Sequence, residues 1–221
     1  MKAVLFDNDG VLVDSEPLHR VAWEQVYRPR GVQVSESDYA WSIGRRDITF
    51  AGIIGEKAGL PDTAEVLVNE KREHLLRMLA EDSQTFPGLP ALVAALAAVC
   101  KVGVASSAMR PEVDIVLDRF GLRPHIAAVV SNEDVGRHKP DPEPYLLCAE
   151  RLGVEPAGCV VIEDSVSGVE SARAAGMPVV AFTSTFPAEK LGGADAVVES
   201  LTDTTALVEL IESLSAGAAQ V

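Results

Sequence analysis

The spacing of apolar residues changes character along the chain. Val4-Leu5-Phe6 is an unbroken apolar run that stops at Asp7-Asn8-Asp9-Gly10, and a second run, Val11-Leu12-Val13, leads to Asp14-Ser15-Glu16. A short apolar run closed by polar residues and a glycine predicts a buried strand that emerges into a polar cleft. From Leu18 to about Ser83 the period turns helical. Leu18, Val21, Ala22, Gln25 and Val26 share one face, and Pro29 and Gly31 end the segment. Residues 35–41 predict a short helix with Ser35 as N-cap and Asp38 three residues on, close to a capping box. Gly44-Arg45-Arg46 is a loop, and residues 48–58 are helical up to Gly59 and Pro61. A fourth helix, about 62–80, carries Val66, Leu67, Leu75, Leu76 and Leu79. After Phe86-Pro87-Gly88 the text alternates: helix 89–99, strand 101–105, helix 111–120, strand 127–130, helix 142–152, strand 159–162, helix 168–175, strands 179–182 and 196–198, helix 203–214. The tail from Ser215 is small and polar and is expected to fray.

Repeated strand–helix units imply parallel strands joined by right-handed crossovers. The expected fold is therefore α/β: a parallel sheet with helices on both faces, its first strand separated from the rest by a small all-helical insert. Residues 1–16 and 86–221 would form the sheet domain and 17–85 the helical one. The connections at 14–17 and 84–88 are where a hinge would absorb motion.

Composition narrows the class. A chain of 221 residues, 48% apolar, can bury a sizeable core. Its formal charge of −14 argues against a nucleic-acid or anionic-membrane partner, and an anionic substrate would need a local cation. Cys100, Cys148 and Cys159 form no CxxC pair, and two of them lie inside apolar stretches, which suggests small core residues in a reducing compartment. Asp7 arrives too early for a signal peptide, and no apolar run reaches the length of a membrane span. A cytoplasmic protein, monomeric by default, is expected.

Three strands end in polar groups that a parallel sheet would bring to one edge: Asp7 with Asp9, Ser106, and Glu163 with Asp164. A fourth group, Lys139, follows the 127–130 strand. Converging carboxylates repel unless a cation or a raised pKa relieves them. Oxygen ligands on loops suit Mg²⁺, and a lysine and a hydroxyl beside that ion make a place for a phosphoryl group. The calcium-loop pattern that Asp9-Gly10 and Glu16 partly fit would put its first ligand at Leu5, which cannot coordinate a cation. His74, His125 and His138 have no partners that suggest metal binding, and Asp14 and Asp141 read as turn or capping residues.

With these residues in order, the chain resembles the haloacid dehalogenase-like superfamily of phosphatases and phosphomutases. The resemblance rests on Asp7-Asn8-Asp9-Gly10, Val104-Ala105-Ser106, Lys139-Pro140-Asp141-Pro142, and Val161-Ile162-Glu163-Asp164-Ser165 with Gly168-Val169, and it spans essentially the whole chain. It implies a Rossmann-like core with a helical cap. Asp7 would be the nucleophile, ionised at neutral pH like any ordinary aspartate. Asp9 would be the general acid and then the general base. Mg²⁺ would be held by Asp7, the Asp9 carbonyl and Asp164, with Glu163 in support. Ser106, Lys139 and the Asn8 backbone N–H would hold the transferring phosphoryl oxygens. True dehalogenases need no acid for a halide, so Asp9 points to phosphate chemistry.

The stretch from Asp9 to His19 also looks like β-phosphoglucomutase, in which a cap histidine at the place of His19 is linked to the acid. The match then weakens. Where the mutase sets a serine, a lysine and an asparagine against a distal phosphate, this chain has Ala108, Met109 and Arg110, and His138 replaces the usual glycine before the lysine. Arg45 or Arg46 could serve as a cap arginine for a distal phosphate, and Arg110 could hold an anion. The expected activity is hydrolysis of small phosphomonoesters, sugar phosphates foremost. A phosphomutase is the alternative, and a non-catalytic sugar-phosphate-binding protein a remote one.

Overall fold

The structure, a computed structural model, describes residues 1–218. It divides into two compact units, Met1–Asp14 with the chain from Gln84 onward, and Ser15–Ser83.

The larger unit is built on six parallel strands: β1 (Ala3–Phe6), β2 (Lys101–Ala105), β3 (Ala128–Val130), β4 (Cys159–Glu163), β5 (Val179–Phe182) and β6 (Ala196–Val198). Their order in the sheet is β3-β2-β1-β4-β5-β6, each pair parallel. All four residues of β1 are fully buried. Alternate residues point to opposite faces of a strand, so β1 must be covered on both. One face is covered by α7 (Glu143–Leu152) and α8 (Val166–Ala174), whose Tyr145, Cys148, Val169 and Ala172 pack with Ala3, Leu5, Val161 and Val179. Another group of helices, α5 (Leu89–Ala97) and α9 (Thr204–Ala218), packs together and against β2 and β4 respectively. The remaining helix, α6 (Arg110–Arg119), follows β2. Cys148 and Cys159 are buried and all three cysteines are free.

The helix at the end of the chain departs from expectation. The small residues after Leu214 do not end it: α9 continues to Ala218, with Ser215 buried on its inner face. The expected fraying of the last three residues, 219–221, falls outside the described residues.

The smaller unit is helical: α1 (Glu16–Tyr27), α2 (Glu36–Ser42), α3 (Asp47–Ala58) and α4 (Ala64–Glu81). Ser35 caps α2 as its sequence suggested. Its hydroxyl accepts from the Asp38 N–H at 3.1 Å while the Asp38 carboxylate accepts from the Ser35 N–H at 3.3 Å. The core of this unit is aromatic, Trp23 stacked on Tyr27 with Phe50 edge-on to both. No described helix is long and apolar enough to cross a membrane.

Candidate active site

The strand order decides which polar groups can meet. β1 lies between β2 and β4, where the direction of chain progression across the sheet reverses, and ligands in open α/β sheets bind at such a switch point. The registers Phe6 to Val104 and Phe6 to Ile162 carry Asp7, Ser106 and the Glu163-Asp164 pair to one carboxyl edge. The first turn is shaped by Gly10, at φ +74°. A Cβ there would lie 1.8 Å from an Asp164 carboxylate oxygen and 2.7 Å from the Thr185 hydroxyl, so only glycine lets the turn close on Asp164. The Asn8 carbonyl ties the turn by accepting from Leu12 N–H at 2.8 Å, and Ser184 donates its hydroxyl to the Gly10 carbonyl.

Lys139, joined to Pro140 by a cis peptide, reaches back into this edge. Its Nζ lies 2.7 Å from Asp7 Oδ1 and 2.7 Å from Glu163 Oε1. Glu163 is saturated. Oε1 also accepts from the Tyr145 hydroxyl at 2.9 Å, and Oε2 accepts from the Asp164 N–H at 2.8 Å and from the Ser165 N–H and hydroxyl at 2.9 Å each. The Ser106 hydroxyl oxygen accepts from the Ala108 N–H at 2.9 Å. The Asn8 side chain is buried with no hydrogen bond to either end of its amide.

Electrostatics at this edge are unbalanced. Carboxylate oxygens of Asp7, Glu163 and Asp164 come within 4.8 Å of one another, and Lys139 is the cation that pairs with two of them. Burial pushes the Asp7 carboxyl up to about 7; Lys139 opposes it, and Glu163 and Asp9 add to it. Asp164 is raised well above its ordinary value by burial and then by the charges of Glu163 and Asp7. Burial also works against the charge of Glu163, but Lys139 and the hydrogen bonds outweigh it and hold Glu163 below its ordinary value. Burial likewise opposes the charge on Lys139, yet Asp7 and Glu163 together raise its pKa and keep it protonated. An all-oxygen donor set with more negative charge than one ammonium can neutralise fits a hard divalent cation such as Mg²⁺. Burial thus opposes the ionisation of Asp7 that residue type alone suggests, and added positive charge would favour it.

Four candidates remain: Arg110 in the sheet unit, and Arg45, Arg46 and His19 in the helical unit. Arg110 opens α6 with its guanidinium bonded to the Val129 carbonyl at 3.1 Å and to Asp134 at 2.7 Å, and Arg151 shares that same carboxylate. This ion pair occupies the group that was to hold an anion. In the helical unit, Arg45 lies over the Trp41 ring at 4.5 Å and donates to the Trp41 carbonyl. Arg46 is the exposed residue before α3. His19 Nδ1 lies 2.7 Å from Lys71 Nζ, which also donates to Asp47 at 2.8 Å.

Sequence reasoning missed Tyr145 and Lys71. Lys71 is 1% exposed and continues a stripe, Leu67, Leu75 and Leu79, at four-residue spacing. A lysine inside such a stripe requires a buried partner, and that was the available signal. Tyr145 gave none, because a tyrosine on the inner face of a helix reads as core.

A doubly wound parallel sheet carrying an aspartate turn, a lysine and an acidic pair at its switch point defines a class of hydrolases. The chain matches the haloacid dehalogenase-like hydrolases over residues 1–176, and it is an enzyme of that family. It is 34% identical to fructose-1-phosphate phosphatase YqaB of Escherichia coli K12 over 177 residues, 80% of this chain and 94% of the relative. It is 35% identical to the phosphorylated carbohydrates phosphatase of Thermotoga maritima over 210 residues, 95% and 91% of the two chains. Among solved structures, a family IA, variant 3 hydrolase from Entamoeba histolytica superposes with a TM-score of 0.86 at 27% identity, over 98% of this chain and all of that one.

Proposed function

We propose that this enzyme hydrolyses small phosphomonoesters, sugar phosphates foremost, through an aspartyl-phosphate on Asp7, with Mg²⁺ as cofactor. The observation that carries the reading is the Asp7 carboxylate at the sheet's switch point, 2.7 Å from Lys139 and within 4.8 Å of Asp164, with Asp9 two residues on. The names of the two relatives, both phosphatases of phosphorylated sugars, support the substrate class.

Asp7 attacks phosphorus, and the bond from phosphorus to the ester oxygen breaks. Asp9 delivers a proton to the departing alkoxide. Water then attacks the acyl-phosphate while Asp9 takes its proton, and the cleavage of the phosphorus–Asp7 bond releases orthophosphate and restores the carboxylate. Lys139, Ser106 and the Asn8 N–H hold the phosphoryl oxygens, whose charge the ammonium matches best in the transition state. Asp7, the Asp9 carbonyl and Asp164 would hold Mg²⁺; Glu163, with its lone pairs occupied, supports them indirectly. When bound, the ion supplies the positive charge that keeps Asp7 ionised and lets it approach an anionic phosphate. The cytoplasm is the compartment this substrate class and the free thiols fit.

In the helical unit Arg46 is the better candidate for meeting a distal group of the substrate, because Arg45 is stacked and bonded to Trp41. His19, held by Lys71, is the candidate for coupling to Asp9. A panel of sugar and nucleotide monophosphates, with free phosphate and isomerised product measured separately, tests the reading. Release of phosphate from hexose and hexitol monophosphates, lost in Asp7→Asn, is expected. Conversion of β-glucose 1-phosphate to glucose 6-phosphate without free phosphate, given a bisphosphate primer, would instead establish a phosphomutase.

A further inference from the structure

On size alone, position 145 would accept phenylalanine. Tyr145 lies on the inner face of α7 beside Cys148 and Ala149, all three buried. A hydroxyl carried into such an apolar stripe costs stability unless it finds a partner. The partner is Glu163 Oε1, 2.9 Å away, the same oxygen that takes Lys139 Nζ at 2.7 Å. The tyrosine ring also meets the ammonium directly, with Nζ 4.6 Å from its centroid. Lys139 therefore touches Asp7, Glu163 and the ring, and Tyr145 controls two of those three contacts.

We propose that Tyr145 is a positioning residue for phosphoryl transfer: its hydroxyl fixes Glu163 Oε1 and its ring backs Lys139, so that the ammonium is aimed at Asp7. This rests on the phosphatase reading above. Glu163 keeps three donors on Oε2 and Lys139 on Oε1 when the hydroxyl is removed, so Tyr145→Phe leaves no buried polar group without a partner. What it loses is the constraint on Oε1, and with it the aim of Nζ. Aim matters most where phosphoryl charge develops, so the loss should fall on kcat rather than KM.

The test compares Tyr145→Phe, Tyr145→Leu and, as a packing control on the same helix face, Cys148→Ala. Each is measured for kcat and KM in Mg²⁺, for orthovanadate affinity by calorimetry, and for thermal unfolding. Tyr145→Phe is expected to lower kcat about tenfold with KM within about twofold. Vanadate binding should weaken in parallel and the unfolding midpoint stay close to that of the wild type. Tyr145→Leu, which also removes the ring, should lose more. Cys148→Ala should unfold at lower temperature with kcat and vanadate affinity kept. Unchanged kcat and vanadate affinity in Tyr145→Phe, or an equal loss in Cys148→Ala, would overturn the proposal. If the wild type binds vanadate but hydrolyses no phosphomonoester, the phosphatase reading fails, and the ratio of vanadate affinities still decides the role of Tyr145.

Discussion

Two demands meet on Asp7. The nucleophile proposed here must be ionised, yet burial among carboxylates pushes it up to about 7 against an ordinary value of 3.8. Between those values the folded protein holds a proton that the unfolded chain has released, so the group's contribution to stability is full below about 3.8 and is lost as pH rises through 7. Without divalent cations, unfolding midpoints should therefore fall as pH rises from about 4 to about 7. Mg²⁺ should stabilise the protein more at pH 8 than at pH 5, because it favours the ionised form. Thermal melts with and without Mg²⁺ at both pH values check this, and equal stabilisation at both would contradict it. At this scale the sequence was legible in residue types at strand ends: Asp7, Glu163 and Asp164, expected at one edge, do lie within 4.8 Å of one another. It was silent on Tyr145, whose polar tip matters only because Glu163 lies opposite, whereas Lys71 left one signal, a lysine inside the apolar stripe of α4.

At the scale of elements, the turn from β4 into α8 shows how little space the arrangement leaves. Ser165 caps α8 by accepting from the Gly168 N–H at 3.0 Å, and its hydroxyl donates to Glu163. The first turn of α8 is thereby drawn down onto that carboxylate. A Cβ on Gly168 would lie 1.7 Å from Glu163 Oε1, so Gly168→Ala must displace either the helix or the anchor of Lys139. We expect it to cost about 3 kcal/mol by urea unfolding, at the upper end for overpacking, and to reduce phosphatase activity. The same change at Gly52 in α3 has 4.0 Å of clearance to its nearest neighbour and should instead add a few tenths of a kcal/mol or more. The strand–helix alternation was readable because each strand is a short apolar run and the helices from α5 to α8 have a punctuating Pro or Gly. The order β3-β2-β1-β4-β5-β6 was not, since pairing between strands distant in sequence leaves no local trace. The end of α9 was misjudged because Ser215 looks like a solvent residue and is held on the buried face.

At the scale of the molecule, the helical unit is an insertion whose two connections are fastened together on the sheet unit. The Asp14 N–H donates to the Gln84 carbonyl at 2.9 Å, and the Thr85 hydroxyl to the Leu12 carbonyl at 2.8 Å. With a net charge of −14, the proposed phosphorylated substrate would depend on local positive charge, Lys139 and the proposed Mg²⁺, to be admitted. In the proposed reaction this substrate passes its phosphoryl group to Asp7. The most direct measurement is to quench the enzyme with acid during turnover of a hexose phosphate, reduce with borohydride, and map the product by peptide mass spectrometry. An acyl-phosphate at position 7 is reduced to homoserine there, absent without substrate and absent in Asp7→Asn. Turnover with no modification at Asp7, or with the modification on another carboxylate, would contradict the account.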